Sequence, residues 1–283
     1  MHDRPKKSSP TPGKRLEEAW TGLLARLRSL GGLTLGYSGG IDSRFLALAA
    51  LRAGVAPDLV HASGPHVPRS ETGFALDWAT SQGLSVRVLR LDPLALPEVA
   101  RGDRERCRVC KFFLFRHIQD GARGPVCDGS NASDQALHRP GLAALRELGV
   151  LSPLAEAGLA KEDIRVLARW QGLARPEQPS RACLLTRLPY FMPPTKALLA
   201  RLAAGEEIVE RVLGQAGMTE LPFRLRVPEP DRFELHLGQE HVPQDLVGTL
   251  EQRLMKAGFP CSSVCAVPQL SGYFDAMWKT RKS

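Results

Sequence analysis

The sequence predicts an α/β protein: a doubly wound parallel sheet followed by a smaller C-terminal α+β domain. Three observations predict it. Short apolar runs of strand length alternate with stretches of helical apolar spacing, the pattern of repeated βαβ units. A glycine-rich turn joins the first of these strands to the helix after it. Beyond Tyr190 the alternation gives way to a long helix, two neighbouring strand-like runs and another helix.

In chain order, residues 1–13 are polar and expected to form a disordered tail. Leu16, Trp20, Leu23, Leu24 and Leu27 recur at helical spacing and predict a helix over 16–30. Residues 33–37 read as a short buried strand, and 44–53 as an apolar helix after the glycine-rich turn. A second strand (59–63), a helix (71–82, with Phe74, Leu76, Trp78 and Ala79 toward the core) and a third strand (86–91) continue the rhythm. A helix over 108–121, a fourth strand over 125–128, a helix over 142–148, a short strand at 150–151 and a helix over 161–171 follow. The rhythm breaks at 174–179. A helix over 196–213, strands over 223–227 and 233–237, and a helix over 244–257 come next, then a poorly patterned tail. This divides the chain into a tail (1–13), a first domain (14–189) and a C-terminal domain (190–283).

Of 283 residues, 43% are apolar, enough for a packed core. No run of about eighteen apolar residues exists, so no transmembrane helix is expected. The N-terminus has charges but no apolar stretch behind them, so it is not a secretory signal. A cytoplasmic location is the expectation. Lys and Arg number 38 against 30 Asp and Glu, a balance that favours phosphate-bearing partners. The basic residues are scattered and only three Tyr and four Trp are present, which argues against nucleic acid as the main substrate. Six cysteines are too few and too spread for a disulfide scaffold, and in a reducing compartment they are thiols, metal ligands or catalysts.

Ser38-Gly39-Gly40-Ile41-Asp42-Ser43 follows a strand and opens a helix. Glycines let backbone N–H groups approach phosphate oxygens, and the helix N-terminus adds partial positive charge. Ser38 and Ser43 can donate hydroxyls, and Asp42 can hold Mg2+ or position the loop. The run lacks the Gly-Lys-Ser/Thr ending of the Walker motif. Cys107 and Cys110 form a Cys-x-x-Cys at a helix start beside Arg106, Arg108 and Lys111. That pair suits a redox motif, half of a zinc site, two iron–sulfur ligands, or two small buried side chains. Asp128-Gly129-Ser130-Asn131-Ala132-Ser133-Asp134 follows another strand, at the end of the sheet that the phosphate loop faces. Asp128 and Asp134 can support Mg2+ and Asn131 can orient a ligand; the alternative is ordinary helix capping. Cys183 lies between Arg181 and Arg187 far down the chain, and Arg224 and Arg226 share one face of a strand. Two guanidiniums on one face can clamp a phosphate; the alternative is a solvated charged face.

SGGIDS, RCRVCK, DGSNASD, HRPGLAALRELGVLSPLAEAGLAKEDIR and RACLLTRLPY occur in that order. The first resembles the PP-loop of ATP pyrophosphatases. Together, from about residue 33 to 237, the set resembles the LarE family, ATP-dependent sulfur transferases that build the nickel-pincer nucleotide cofactor. The resemblance implies adenylation of a carboxylate of pyridinium-3,5-biscarboxylic acid mononucleotide, then displacement of AMP by sulfur to leave a thiocarboxylate. It implies ATP and Mg2+ at Ser38, Gly39, Gly40, Asp42, Ser43, Ser63, Lys111, Asp128, Asn131 and Asp134. It implies substrate contacts from Arg187, Glu210, Arg224 and Arg226, and a homo-oligomer. For Cys183 it implies one of two roles. Either the residue surrenders its own sulfur and becomes dehydroalanine, or Cys107, Cys110 and Cys183 hold a four-iron four-sulfur cluster whose open iron carries sulfide. The Cys-x-x-Cys favours the cluster. Two departures stand out. Phe191 occupies a position where the family has glycine, and 274–279 read Phe-Asp-Ala-Met-Trp-Lys where the family has an arginine and a Gly-rich turn with Asn. Cys127, Cys261 and Cys265 have no assigned role.

Two other functions are compatible with the phosphate loop. A tRNA thiolase of the same chemistry would adenylate a base oxygen, but it would need an RNA-binding appendage, and none is visible. A nucleotide-binding protein without chemistry would not need an intact SGGIDS and three cysteines.

Overall fold

The computed structural model describes residues 11–135, 140–238, 242–259 and 263–280. The predicted tail at 1–10, together with His138, Arg139 and Cys261, lies outside the described residues. The elements run α1 (Lys14–Ser29), β1 (Leu33–Gly36), α2 (Ile41–Arg52), β2 (Pro57–Ser63), α3 (Arg69–Ser81), β3 (Val86–Arg90), α4 (Pro97–Ala100), α5 (Arg106–Asp120), β4 (Val126–Cys127), α6 (Ala132–Gln135), α7 (Pro140–Glu147), α8 (Pro153–Glu156), α9 (Lys161–Trp170), α10 (Lys196–Gln215), β5 (Phe223–Glu229), β6 (Arg232–Leu237), α11 (Gln244–Lys256), β7 (Ser263–Ala266) and α12 (Tyr273–Thr280).

The fold class is α/β, as expected. Strands β1–β4 form one parallel sheet in the order β3-β2-β1-β4. The chain therefore moves outward from β1 to β3 and then returns to the other side of β1. That reversal makes a topological switch point at the carboxyl ends of β1 and β4, the usual place for a ligand in an open α/β sheet. The motif Ser38–Ser43 follows β1 and runs into the first turn of α2, and the loop after β4 begins at Asp128, so both polar motifs lie at this switch point.

Two compact units make up the chain. The first contains the residues up to Ala62, Phe74–Leu89 and Lys111–Gln178; the second contains Ser63–Gly73, Arg90–Cys110 and the residues from Pro179 onward. In the first unit, Trp20, Leu23 and Leu27 of α1 pack with Phe45 and Leu46 of α2 and with Ile164 and Leu167 of α9. Trp20 sits 5.5 Å from Phe45 and 6.4 Å from Trp170 between ring centroids. Helix α2 is buried almost all round, which is why its sequence is apolar rather than striped. A smaller cluster joins Val60, Phe115, Ile118, Val126, Leu145 and Val150. The short strand expected at 150–151 is only a single parallel bridge from Leu151 to Cys127.

In the second unit β5 and β6 pair antiparallel, with an irregularity between Arg226 and Glu229, and β6 and β7 pair parallel. Helix α10 crosses this sheet closely: a Cβ on Gly205 would lie 2.4 Å from Leu225 and 2.8 Å from the Phe259 ring. The poorly patterned tail contains β7 and α12, a correction to the expectation. Strand β7 is only four residues and has no buried position, so no two-residue apolar period marks it.

Candidate active site

In the first unit the loop after β1 is built around Gly39. Its φ is +80°, and a Cβ there would lie 2.6 Å from the Ala75 Cβ. Only glycine meets both conditions. The first residue of α2, Ile41, comes three residues earlier than the spacing suggested, so Asp42 and Ser43 lie in its first turn. No side chain caps that N-terminus, and its leading amide donors face the loop. Gly40 N donates to Ser38 Oγ (3.3 Å), Ser43 Oγ donates to the Gly40 carbonyl (3.0 Å), and the two serine hydroxyls lie 3.2 Å apart. The result is a concave run of backbone and hydroxyl donors suited to phosphate. The loop after β4 backs onto it: a Cβ on Gly129 would lie 3.0 Å from Ser43 N. Replacing Gly39 with alanine is expected to destabilise the protein by about 2 kcal/mol in urea denaturation. Wild-type stability in that variant would show the loop is not rigidly specified.

The acidic residues divide their roles. Asp42 ion-pairs with Lys161 and accepts from Asn131 Nδ2 (3.4 Å). Asn131 and Asp134 cap α6 reciprocally: Asp134 N donates to Asn131 Oδ1 and Asn131 N donates to Asp134 Oδ2, both at 3.2 Å. Asp128, buried, accepts from Ser130 N (3.1 Å), from Ser152 Oγ (2.7 Å) and from Ser130 Oγ. Lys111 Nζ lies 3.9 Å from its Oδ2. Asp42 is thus the carboxylate at the phosphate loop, while Asp128 and Asp134 hold the neighbouring loop in shape.

Two residues near these motifs, Arg44 and Lys161, were not singled out from sequence. Arg44, fully buried, donates from Nε to the Gly39 carbonyl (3.0 Å), from Nη1 to the Ala174 carbonyl (2.6 Å) and from Nη2 to the Arg175 carbonyl and Gln178. Its guanidinium lies 5.1 Å from the Phe74 ring. It fixes the back of the loop, and its signal was a lone charge inside an apolar helix. Lys161, at the start of α9, places a cation against Asp42. Cys127 is fully buried in the core, and burial pushes its thiol up to about 12.

In the second unit Cys107 and Cys110 share one face of the first turns of α5, with Cys110 buried and Cys107 half-buried. Cys183 precedes a single 3-10 turn over Leu184–Arg187. Its carbonyl accepts from Thr186 N (3.0 Å) and Thr186 Oγ1 (2.8 Å), and Leu184 N donates to the His66 carbonyl (3.0 Å). Burial, then the charge of Cys107, pushes the Cys183 thiol up to about 11, against the opposing pull of Arg187 and Arg106. Cys107 and Cys183 therefore lie within electrostatic reach of each other. None of the five described cysteines forms a disulfide. Among the described residues no three His, Cys, Asp or Glu side chains are grouped tightly enough to hold a single metal ion.

Arg187, Arg224 and Arg226 are buried rather than solvated. Arg187 donates bidentately to Glu206 (2.6 and 3.0 Å) and to Thr186 Oγ1 (3.0 Å). Arg224, 5% exposed, donates to the carbonyls of Phe223 (2.6 Å) and Ser180. Arg226, 2% exposed, donates to His236 Nδ1 (3.0 Å) and to the carbonyls of Thr186 (3.2 Å) and Leu270. His236 must then donate its Nε2–H to Glu234 (3.0 Å), which assigns its neutral tautomer. Burial and then the charge of Arg187 push Arg224 down to about 9 and Arg226 down to about 10. Such an excess of buried positive charge suits a dianionic ligand. Glu210 and Glu71 both bind Arg181. Ser63 ends β2, half-buried, its carbonyl accepting from Leu91 N (2.8 Å).

A parallel sheet with a glycine-rich loop at its switch point makes this an α/β protein of the PP-loop kind. No family model matches the chain. An uncharacterized protein of Synechocystis sp. is 29% identical over 241 residues, 80% of this chain and 85% of that protein. An uncharacterized protein of Methanocaldococcus jannaschii is 29% identical over 163 residues, 56% of this chain and 61% of that protein. The pyridinium-3,5-bisthiocarboxylic acid mononucleotide synthase of Lactiplantibacillus plantarum is 30% identical over 200 residues, 68% of this chain and 71% of that synthase. The chain belongs to the family of this last protein, the LarE family. No described helix is long and apolar enough to cross a membrane.

Proposed function

We propose that the protein is an ATP-dependent sulfur transferase that converts a carboxylate of pyridinium-3,5-biscarboxylic acid mononucleotide into a thiocarboxylate. Family membership supports the substrate class, and the loop at Gly39 is the observation that carries the ATP chemistry. A substrate carboxylate oxygen attacks the α-phosphorus of ATP, and the bond to the β-phosphate oxygen breaks. The amides and hydroxyls of Ser38–Ser43 receive the departing pyrophosphate. The acyl adenylate then carries a good leaving group, and sulfur displaces AMP at the carbonyl carbon. Arg224 and Arg226 bind the mononucleotide phosphate, which relieves their mutual repulsion; Arg187 holds Glu206 and keeps that pair in place, and Glu210 orients Arg181.

Asp42 presents a hard oxygen donor beside the phosphate loop, so Mg2+ fits there once Lys161 turns away; the ion would offset charge on the phosphates. Cys107, Cys110 and Cys183 are a soft donor set within one unit and fit a four-iron four-sulfur cluster, which would supply sulfide. Without a cluster, the Cys183 thiol loses its proton and Sγ bonds to the carbonyl carbon as the C–O bond to AMP breaks. Loss of its Hα proton then breaks the Cβ–S bond, leaving thiocarboxylate and dehydroalanine.

The test is mass spectrometry of protein and small molecules after incubation with ATP, Mg2+ and the biscarboxylated mononucleotide. Thiocarboxylate with AMP and pyrophosphate is expected; pyrophosphate release without sulfur incorporation would sink sulfur transfer, and no ATP turnover would sink the whole reading. Replacing Lys161 with methionine is expected to slow pyrophosphate release roughly 100-fold, because Lys161 is the cation beside Asp42. The arginine variant should recover part of the rate. Unchanged kinetics in the methionine variant would remove Lys161 from phosphate stabilisation.

A further inference from the structure

Arg106 is 3% exposed, although it precedes the Cys-x-x-Cys on the first turn of α5. Its Nη1 donates to the Pro189 carbonyl (2.9 Å) and its Nη2 to the Leu188 carbonyl (2.7 Å). Those carbonyls follow the Cys183 turn. One guanidinium thus fastens the helix that carries Cys107 to the segment that carries Cys183. A buried fork of this kind fixes both distance and direction.

The fork is itself held. The Tyr190 ring lies 4.9 Å from the Arg106 guanidinium carbon, and the Tyr190 hydroxyl donates to Asp275 on α12. Trp278 on the same helix meets Tyr190 edge-on at 6.3 Å and packs against Phe191 at 5.4 Å. Phe191 has a φ of +65° and is 53% exposed. A bulky residue in the left-handed region is strained, and its contact with Trp278, with Phe191 N donating to the Gly102 carbonyl (2.8 Å), holds it there. Among the described residues the buried Nε of Arg106 has no hydrogen-bond partner.

We propose that Arg106 is a positioning residue for sulfur transfer: it sets the spacing between Cys107 and Cys183, and α12 locks it in place through Tyr190 and Asp275. This rests on the sulfur-transfer reading for its consequence but not for its geometry. The two departures noted at Phe191 and 274–279 meet each other at Trp278, so they form one compensated structure.

The test uses full-length, reduced, chelator-treated protein with Cys110, Cys261 and Cys265 changed to serine. A ladder of bis-maleimides of increasing span is applied, and the yield of Cys107–Cys183 cross-link is read for each span. The parent protein is expected to show one preferred span. Arg106→Lys keeps the charge but loses the fork, and should show a lower yield at that span and a broader preference. In the six-cysteine protein the same change should lower kcat for thiocarboxylate formation roughly 10–100-fold and leave KM for ATP unchanged. Tyr190→Phe keeps the ring on Arg106 and should give a smaller change in the same direction, with a near-parental melting temperature; it covers the case in which Arg106→Lys unfolds. Cross-link preference and thiocarboxylate rate unchanged in both variants would overturn the assignment. Loss of all ATP turnover in the parent would instead overturn the sulfur-transfer reading, because the cross-link needs neither ATP nor substrate.

Discussion

Replacing Cys183 with alanine is expected to lower thiocarboxylate formation by more than about a thousandfold while pyrophosphate release from ATP continues. Cys183 is half-buried and within electrostatic reach of Cys107, whereas the loop at Ser38–Ser43 is assembled from other elements. Adenylation and sulfur delivery should therefore separate. The same assay on Cys107→Ala distinguishes the sulfur sources. If Cys183 gives up its own sulfur, that variant should still complete one turnover and lose one sulfur mass. If a cluster delivers sulfide, it should fail at the same step as the Cys183 variant. Thiocarboxylate formation by Cys183→Ala at even about a tenth of the wild-type rate would remove the residue from the path of sulfur.

The largest stability effect is expected at Glu206. Burial opposes its ionisation, but the charge and paired hydrogen bonds of Arg187 outweigh that and hold the carboxyl below its usual range. Glu206 also accepts from Leu225 N (3.1 Å). Glu206→Gln leaves Arg187 buried without its counter-ion, which should destabilise the protein by about 3–5 kcal/mol near neutral pH. Because the folded-state pKa is depressed, the pair's contribution is fully present above the ordinary carboxylate value and is lost as pH falls through the folded-state value. The gap between wild type and variant in urea titrations should accordingly close with acid. A gap that stays constant from pH 7 down to about 3 would show that the Glu206 charge is not what stabilises this unit.

The parallel sheet could be read from the sequence because each strand is a short apolar run and each helix repeats its apolar residues at a different period. The glycine-rich loop at a strand-to-helix junction was equally legible, since glycines and serines in a short run between two apolar segments mark a turn. Pairing order was not legible: nothing local to residues 126–127 says that this two-residue strand lies beside β1. Arg44 and Glu206 escaped notice for a related reason. Each is a charge at a position whose spacing marks it as core, and only the partners, Gly39 and Gln178 for one and Arg187 for the other, explain its burial. The Arg224–Arg226 pair was anticipated, but the spacing of alternate residues says nothing about how deeply a strand is covered. Strand β7 and α12 lack the contrast between faces that periodicity depends on.

The discontinuous make-up of the second unit also matters during synthesis. Arg106 and the Leu188 carbonyl it binds are 82 residues apart. A ribosome adding about 5–20 residues per second leaves the Cys-x-x-Cys segment waiting roughly four to sixteen seconds for its partner. Through that interval both thiols emerge without the segment that will cover them, so premature oxidation or metal capture competes with folding. A nascent chain stalled before Cys183 should therefore be more easily alkylated at Cys107 and Cys110 than the finished protein.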